Sequence, residues 1–247
     1  MTRFVDRQEE LATLDRLTRE SRPQFVILFG RRRLGKTTLL LEFAAQSGLP
    51  ALYWVASKQS EAVLQRSLYE TCARFLDVPP PPGMVTPSSW TAIFQFLVEN
   101  IAEKLGGRRV LIILDEFPYA VEASASLPSE LQNAWDHLFK PRTNVFLCIA
   151  GSHVGMMSDL QERQAPLYGR FTARFPVGPL PFGALKEFYP RLTAVERVGV
   201  YAILGGVPAY LERIVPERSL RDNLEQEIMA VTGIFFFSPP MVRMSWS

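Results

Sequence analysis

An α/β fold, with a mostly parallel five-stranded sheet covered by helices on both faces and a small helical piece after it, is predicted by three observations. Apolar runs of strand length, such as FVILF and VLIIL, alternate with longer stretches of helix formers. Those runs lack the polar alternation of a half-exposed strand, so the strands are expected to be buried on both faces. After about residue 180 the strand signals stop and short helical segments take over.

Each element has its own reason. EELATLDRLTRE sets Leu11, Leu14 and Leu17 near helical spacing with charges between them, which predicts a short amphipathic helix ended by Pro23. QFVILFG then gives a strand, and TTLLLEFAAQSG a helix with Gly48 as its C-cap. PALYWVAS reads as a second strand, and SEAVLQRSLYETCARFL as a helix with Leu64, Leu68 and Phe75 among its apolar positions. VPPPPGMVTP holds five of the 19 prolines and is expected to be an exposed connection. SSWTAIFQFLVENIAEKLGG predicts a long helix with Ser88 or Ser89 as N-cap. RRVLIILDEF supplies a third strand, ELQNAWDHLFK a helix, TNVFLCIAGS a fourth strand and RFTARFPVGPL a fifth. The expected domains are a core over residues 1–180, a helical subdomain over 181–235 and an atypical tail over 236–247.

The 247 residues are 47% hydrophobic and 21% charged, with a formal net charge of +2. Such a balance argues against a basic surface over the whole chain and leaves local patches. Cys72 and Cys148 lie far apart in apolar contexts without metal-ligand spacing, which fits a reducing, cytoplasmic compartment. The charged start MTRFVDRQEELATL lacks a signal-peptide core, and no run of about 18 apolar residues occurs, so no membrane span is expected.

Two motifs carry chemistry. Gly30-Arg31-Arg32-Arg33-Leu34-Gly35-Lys36-Thr37 satisfies G-x-x-x-x-G-K-[ST], with an apolar strand before it and a helix after it. The glycines let backbone N–H groups and the helix N-terminus wrap a phosphate. Lys36 would reach the β- and γ-phosphates of a nucleotide, Thr37 would ligate Mg²⁺, and Thr38 completes the nucleotide-binding stretch. VLIILDEF then delivers Asp115 and Glu116 to the C-terminal end of a buried strand, where ligands of open α/β sheets bind. Asp115 would hold the metal, and Glu116 would polarise an attacking water as general base.

These motifs resemble the Walker A and Walker B elements of P-loop NTPases, and the glutamate after the aspartate resembles the additional-strand, catalytic-glutamate branch that holds AAA+ and STAND ATPases. FVDRQEEL looks like the F-x-x-R-x-x-E-L box of archaeal-type STAND ATPases. GRRRLGKTTLL, IAGSHVGMM, PLYGRF and GGVPAYL match further stations in the same order, over roughly residues 1–235. The resemblance implies a P-loop fold with a helical lid, and ATP and Mg²⁺ as cofactors. By the same resemblance Arg7 helps frame the adenine and ribose. Ser152 stands at the polar sensor position, with His153 beginning the next helix. Arg170 becomes the cation near the transferred phosphate, and Pro208 falls at the G-x-P signature of the lid. The closing GIFFFSPPMVRMSWS does not look like the family's winged-helix continuation, which implies a chain truncated or frame-altered relative to its relatives, or an output module supplied by another protein.

The function expected is a Mg-dependent ATP-binding protein, a slow ATPase that cycles between ATP and ADP as a switch, with an unidentified protein partner and scope for oligomers. Beside it stand a DNA-associated AAA+-like ATPase, for which Arg31–Arg33 and Arg108-Arg109 supply local charge without a basic, aromatic-laced helix. A non-hydrolysing ATP-binding scaffold and a small-molecule kinase complete the alternatives.

Overall fold

The computed structural model describes residues 4–78, 87, 89–215 and 217–226. The described residues form two compact units, one within Arg7–Gly178 and one that joins residues 4–6 to those described from Pro179 to residue 226.

In the first unit the order is α1 (Gln8–Thr18), β1 (Gln24–Phe29), α2 (Lys36–Ser47), β2 (Ala51–Val55), α3 (Glu61–Leu76), α4 (Trp90–Leu105) and β3 (Val110–Asp115). There follow α5 (Phe117–Ala123), α6 (Leu127–Ala134), α7 (Lys140–Arg142), β4 (Val145–Gly151), α8 (Val154–Asp159) and β5 (Ala173–Pro176). A π-helical turn, Trp135–Phe139, joins α6 to α7. Gly48 ends α2 in the left-handed region, and the Ser89 hydroxyl accepts from the Ala92 N–H at 3.2 Å to start α4, so Ser89 is the N-cap.

The sheet runs β2-β3-β4-β1-β5 with every pair parallel. Five strands were expected, and the described sheet is wholly parallel. Parallel neighbours need crossovers, which the intervening helices supply. All of β3 and β4 is buried. On one face Phe25, Ile27, Ile112, Leu114, Leu147 and Ile149 pack with Leu68, Ile93, Phe94, Phe117 and Leu131 from α3 to α6. Side chains alternate along a strand, so Val26, Leu28 and Phe146 face the other way, where Phe146 lies 5.3 Å from the Phe43 ring of α2. Each such buried Leu or Phe contributes about 1.5–3 kcal/mol, which is why uninterrupted apolar runs hold two helical layers.

Arg109 corrects two expectations. α1 stops at Thr18, well before Pro23, and its last carbonyls, Leu17 and Thr18, accept from the Arg109 guanidinium. Arg109 also donates to the Arg22 carbonyl at 2.7 Å and to Asn144 Oδ1 at 2.9 Å. Buried and fully occupied, it adds nothing to a basic surface; Arg108 is the exposed member of the pair.

Register sets the edge that matters for chemistry. Leu114 pairs with Ile149 and Phe29 with Gly151. The segments that follow, Asp115-Glu116, Gly30 and Ser152, therefore leave the sheet at the same end.

The second unit contains α9 (Leu185–Phe188), α10 (Ala194–Leu204), α11 (Pro208–Leu211) and α12 (Leu220–Leu224). Val5 joins Leu180, Leu185, Tyr189, Val200, Leu204 and Leu211 in its core, and the Tyr189 hydroxyl donates to the Leu211 carbonyl. A capping box of Thr193 and Glu196 starts α10. Apart from Val78 and Pro87, the proline-rich connection lies outside the described residues, as does the predicted tail.

Candidate functional site

β1 ends where Gly30 passes tightly against the backbone after β5: an added Cβ would stand 2.2 Å from the Val177 carbonyl oxygen. The loop then turns through Arg33 at φ +67° and Gly35 at φ +83° into α2. Arg31, Arg32 and Arg33 are exposed, while Leu34 tucks its side chain inward. The loop is anchored from beneath by Arg7, which is buried and donates to the Leu34 carbonyl at 3.1 Å and to the Gly178 carbonyl at 2.6 Å, while pairing with Glu10 at 2.9 Å. Arg7 was expected to help frame the adenine and ribose, and its donors brace the loop beside which a nucleotide would lie.

Lys36 is the first residue of α2 and is 5% exposed. Its ammonium donates to the loop carbonyls of Gly30 at 2.8 Å and Arg31 at 3.0 Å. Burial lowers its pKa below the ordinary lysine value, and the charges of Glu116 and Asp115 act in the opposite sense.

Thr37 and the end of β3 meet directly. Thr37 Oγ1 donates to Asp115 Oδ2 at 2.7 Å, and the Glu116 N–H donates to Asp115 Oδ1 at 2.8 Å. A third donor, which sequence reasoning missed, is the Tyr53 hydroxyl of β2, 2.7 Å from the same Oδ2. Burial and the Asp115 carboxylate push the Tyr53 pKa up, so the phenol stays a donor. Strand order was the missing signal: nothing in PALYWVAS says that β2 lies beside β3.

Glu116 stands at φ +49° as the N-cap of α5, a left-handed position that is uncommon for a non-glycine residue. Its Oε2 accepts from Ser152 Oγ at 2.9 Å and from the Ser152 N–H at 3.3 Å. Arg32 in turn donates to Ser152 Oγ at 3.4 Å and to the Tyr119 hydroxyl. Lys36, Thr37, Asp115, Glu116 and Ser152 are thus gathered at one edge of the sheet, with Thr38 exposed beside Thr37 on α2.

His153 follows as the N-cap of α8, its Nδ1 accepting from the Met156 N–H at 3.1 Å. Arg170 goes elsewhere. Its guanidinium donates twice to Asp136 Oδ2, at 3.0 and 2.8 Å, and once to the Tyr168 carbonyl, so its hydrogen bonds go to the π-helical turn and its own loop rather than the phosphate loop. Pro208 is the first residue of α11 in the second unit.

A phosphate-type loop after β1, a carboxylate pair after β3 and a strand, β4, placed between them are the parts of a P-loop ATPase domain. Among solved structures the chain resembles the Walker-type ATPase PABY2304 of Pyrococcus abyssi, at 22% identity and a TM-score of 0.63 over 90% of this chain and 72% of that one. It also resembles the ORC2 protein of Aeropyrum pernix in its ADP form, at 17% identity and a TM-score of 0.60 over 86% and 63% of the two chains. Residues 4–214 match the family described as an ATPase domain predominantly from Archaea, and the chain belongs to that family. An uncharacterized protein of Methanocaldococcus jannaschii, MJECL04, is 32% identical over 230 residues, which are 92% of this chain and 47% of that protein. The chain therefore spans about half the length of that relative. A second protein of the same organism, the uncharacterized ATP-binding protein MJ0423, is 50% identical over 40 residues, 16% of this chain and 68% of its own. Among the described residues no helix is long and apolar enough to cross a membrane.

Proposed function

We propose that this chain binds ATP with Mg²⁺, hydrolyses it slowly and serves as a nucleotide-controlled switch of the archaeal STAND type. The observation that carries the reading is the convergence of Lys36, Thr37, Asp115 and Glu116, in mutual reach by charge and hydrogen bond, at the open edge of a parallel sheet. Phosphate oxygens would take the Lys36 ammonium from the Gly30 and Arg31 carbonyls, which already place it over the loop. The exposed Arg31–Arg33 run would form a basic rim open to a partner or to the triphosphate.

The donors present fit Mg²⁺. Thr37 and Asp115 offer two hard oxygens, and a nucleotide-bound Mg²⁺ takes one or two ligands from protein and the rest from phosphate and water. When bound, Mg²⁺ neutralises charge on the β- and γ-phosphates. Glu116 would accept the proton of the attacking water. The Ser152 hydroxyl and N–H hold its Oε2, which leaves Oε1 as the oxygen that would take that proton. Residues 181–235, with Pro208 at a helix start, would act as the lid that reports nucleotide state. Arg170 would serve as a phosphate-facing cation after release from Asp136, a rearrangement of a loop. The switch would work in the cytoplasm on a partner or separate module.

The test is ATP binding and phosphate release by the purified chain beside Lys36→Ala and Glu116→Gln. Binding lost in the first and ATP trapped in the second support the switch. Binding without hydrolysis in the parent chain would make it the scaffold instead. The DNA reading is weakened by the burial of Arg109, and a flat DNA titration at low salt would remove it.

A further inference from the structure

We propose that Tyr53 is a positioning residue of the metal site, fixing the Asp115 carboxylate so that its Oδ2 and the Thr37 hydroxyl act as one unit. The proposal rests on the Mg-ATP reading above.

Asp115 is 1% exposed, yet its Thr37 partner is exposed on the first turn of α2. A threonine hydroxyl there can rotate, and alone it gives the carboxylate a weak hold. The other two donors are fixed. The Glu116 N–H belongs to the backbone at the end of β3, and the Tyr53 hydroxyl comes from β2, which is in register with β3 through Leu52–Ile112, Tyr53–Ile113 and Val55–Asp115. One clamps Oδ1 at 2.8 Å and the other Oδ2 at 2.7 Å, so the carboxylate plane is set from two sides by rigid elements. Turning that plane would break both bonds. With it set, the Thr37 proton has a defined acceptor and the oxygen of Thr37 is left pointing its lone pairs away from Asp115, toward a cation. Outer partners of this kind orient the groups that touch a metal and commonly matter about 10–100-fold in metal affinity or activity.

The competing account is a core phenol that merely satisfies its hydroxyl. It predicts that Tyr53→Phe lowers stability and leaves metal dependence alone. The distinguishing quantity is the ratio of the dissociation constants of a fluorescent ATP analogue in EDTA and in saturating Mg²⁺, measured on the full chain. For Tyr53→Phe we expect this ratio to fall by about tenfold, with affinity in EDTA within about twofold of the parent. In an Asp115→Asn background, adding Tyr53→Phe should change the ratio no further, because the hydroxyl acts through the carboxylate. An unchanged ratio would overturn the proposal, as would equal weakening in EDTA and Mg²⁺, or a chain that unfolds at the assay temperature, since the hydroxyl would then hold the fold. A parent chain that binds the analogue with no Mg²⁺ enhancement removes the metal reading itself, and one that binds no analogue removes the ATP reading. Those two failures are visible in the parent before any variant is made.

Discussion

At Gly30 an added Cβ would stand 2.2 Å from the Val177 carbonyl oxygen, and at Gly206 it would stand 1.9 Å from that of Leu180. Both glycines bring backbone against backbone shortly before a helix that opens with a special residue, Lys36 in one unit and Pro208 in the other. Their surroundings differ. Around Gly206 the polar groups close on themselves: the Leu180 N–H donates to the Gly206 carbonyl at 2.7 Å, and the Tyr201 hydroxyl to the Leu180 carbonyl at 3.0 Å. Around Gly30 the groups that converge are ionisable or hydroxylic side chains from four elements, several of them within reach of water. A glycine in close contact marks a backbone that must be placed to a fraction of an ångström. Convergent polar side chains mark a candidate for chemistry, and of these two turns the first has both.

The sharpest way to break that contrast is at Glu116. Glu116→Gln should lower steady-state phosphate release by about 10²–10⁴ while ATP still binds. Parent-like turnover in this variant, together with parent-like binding in Lys36→Ala, would leave the phosphate loop no more functional than the Gly206 turn.

Arg109 separates structural from functional charge. Arg109→Ala should cost about 2–4 kcal/mol in urea denaturation, because the carbonyls of Leu17, Thr18 and Arg22 and the Asn144 side chain lose donors at once. Arg109→Lys should recover little of this, since a point ammonium cannot reproduce the planar fork. Full recovery by lysine would mean that charge rather than geometry holds α1.

The two glycines can be compared directly. Gly30→Ala and Gly206→Ala should each destabilise by about 1–3 kcal/mol through overpacking. Hydrogen exchange should rise over β1 and α2 in the first variant and over α9 to α11 in the second, and nucleotide affinity should fall with the first. Uniform exchange across both units in either variant would contradict the local assignment.

The smallest effect belongs to the α10 cap. The Thr193 N–H and hydroxyl hold the Glu196 carboxyl below the usual carboxylate range. A folded pKa below the unfolded one means that this stabilisation is present above the unfolded value and is lost as pH falls through the depressed one. Thr193→Ala should lower the melting temperature slightly at neutral pH and flatten that acid-side loss. An unchanged pH profile would show the cap to be inert.

What was legible in the sequence follows from how local each signal is. FVILF and VLIIL announce buried strands because both faces must be apolar, and the spacing from Gly30 to Thr37 is fixed by the loop itself. α5, at seven residues, is too short to show a periodic face and was not foreseen, while the six-residue α8 was expected only through the resemblance that starts a helix at His153. Arg109 reads as surface charge beside Arg108 because no local pattern reveals the carbonyls waiting at the end of α1. Tyr53 needs the strand order, and the bond from Arg170 to Asp136 needs the fold of two loops. The two motifs are made of neighbours in sequence and could be read; the partners of Tyr53, Arg109 and Arg170 come from distant segments and could not.

The Arg109 contact also spans a long stretch of the sequence. Among the described helices α1 is synthesised before the others, yet the carbonyls of its last turn, at Leu17 and Thr18, meet their partner 92 and 91 residues later. That partner is itself braced by Asn144, 35 residues further on. The end of α1 is therefore closed only by residues that follow it at long range in the sequence.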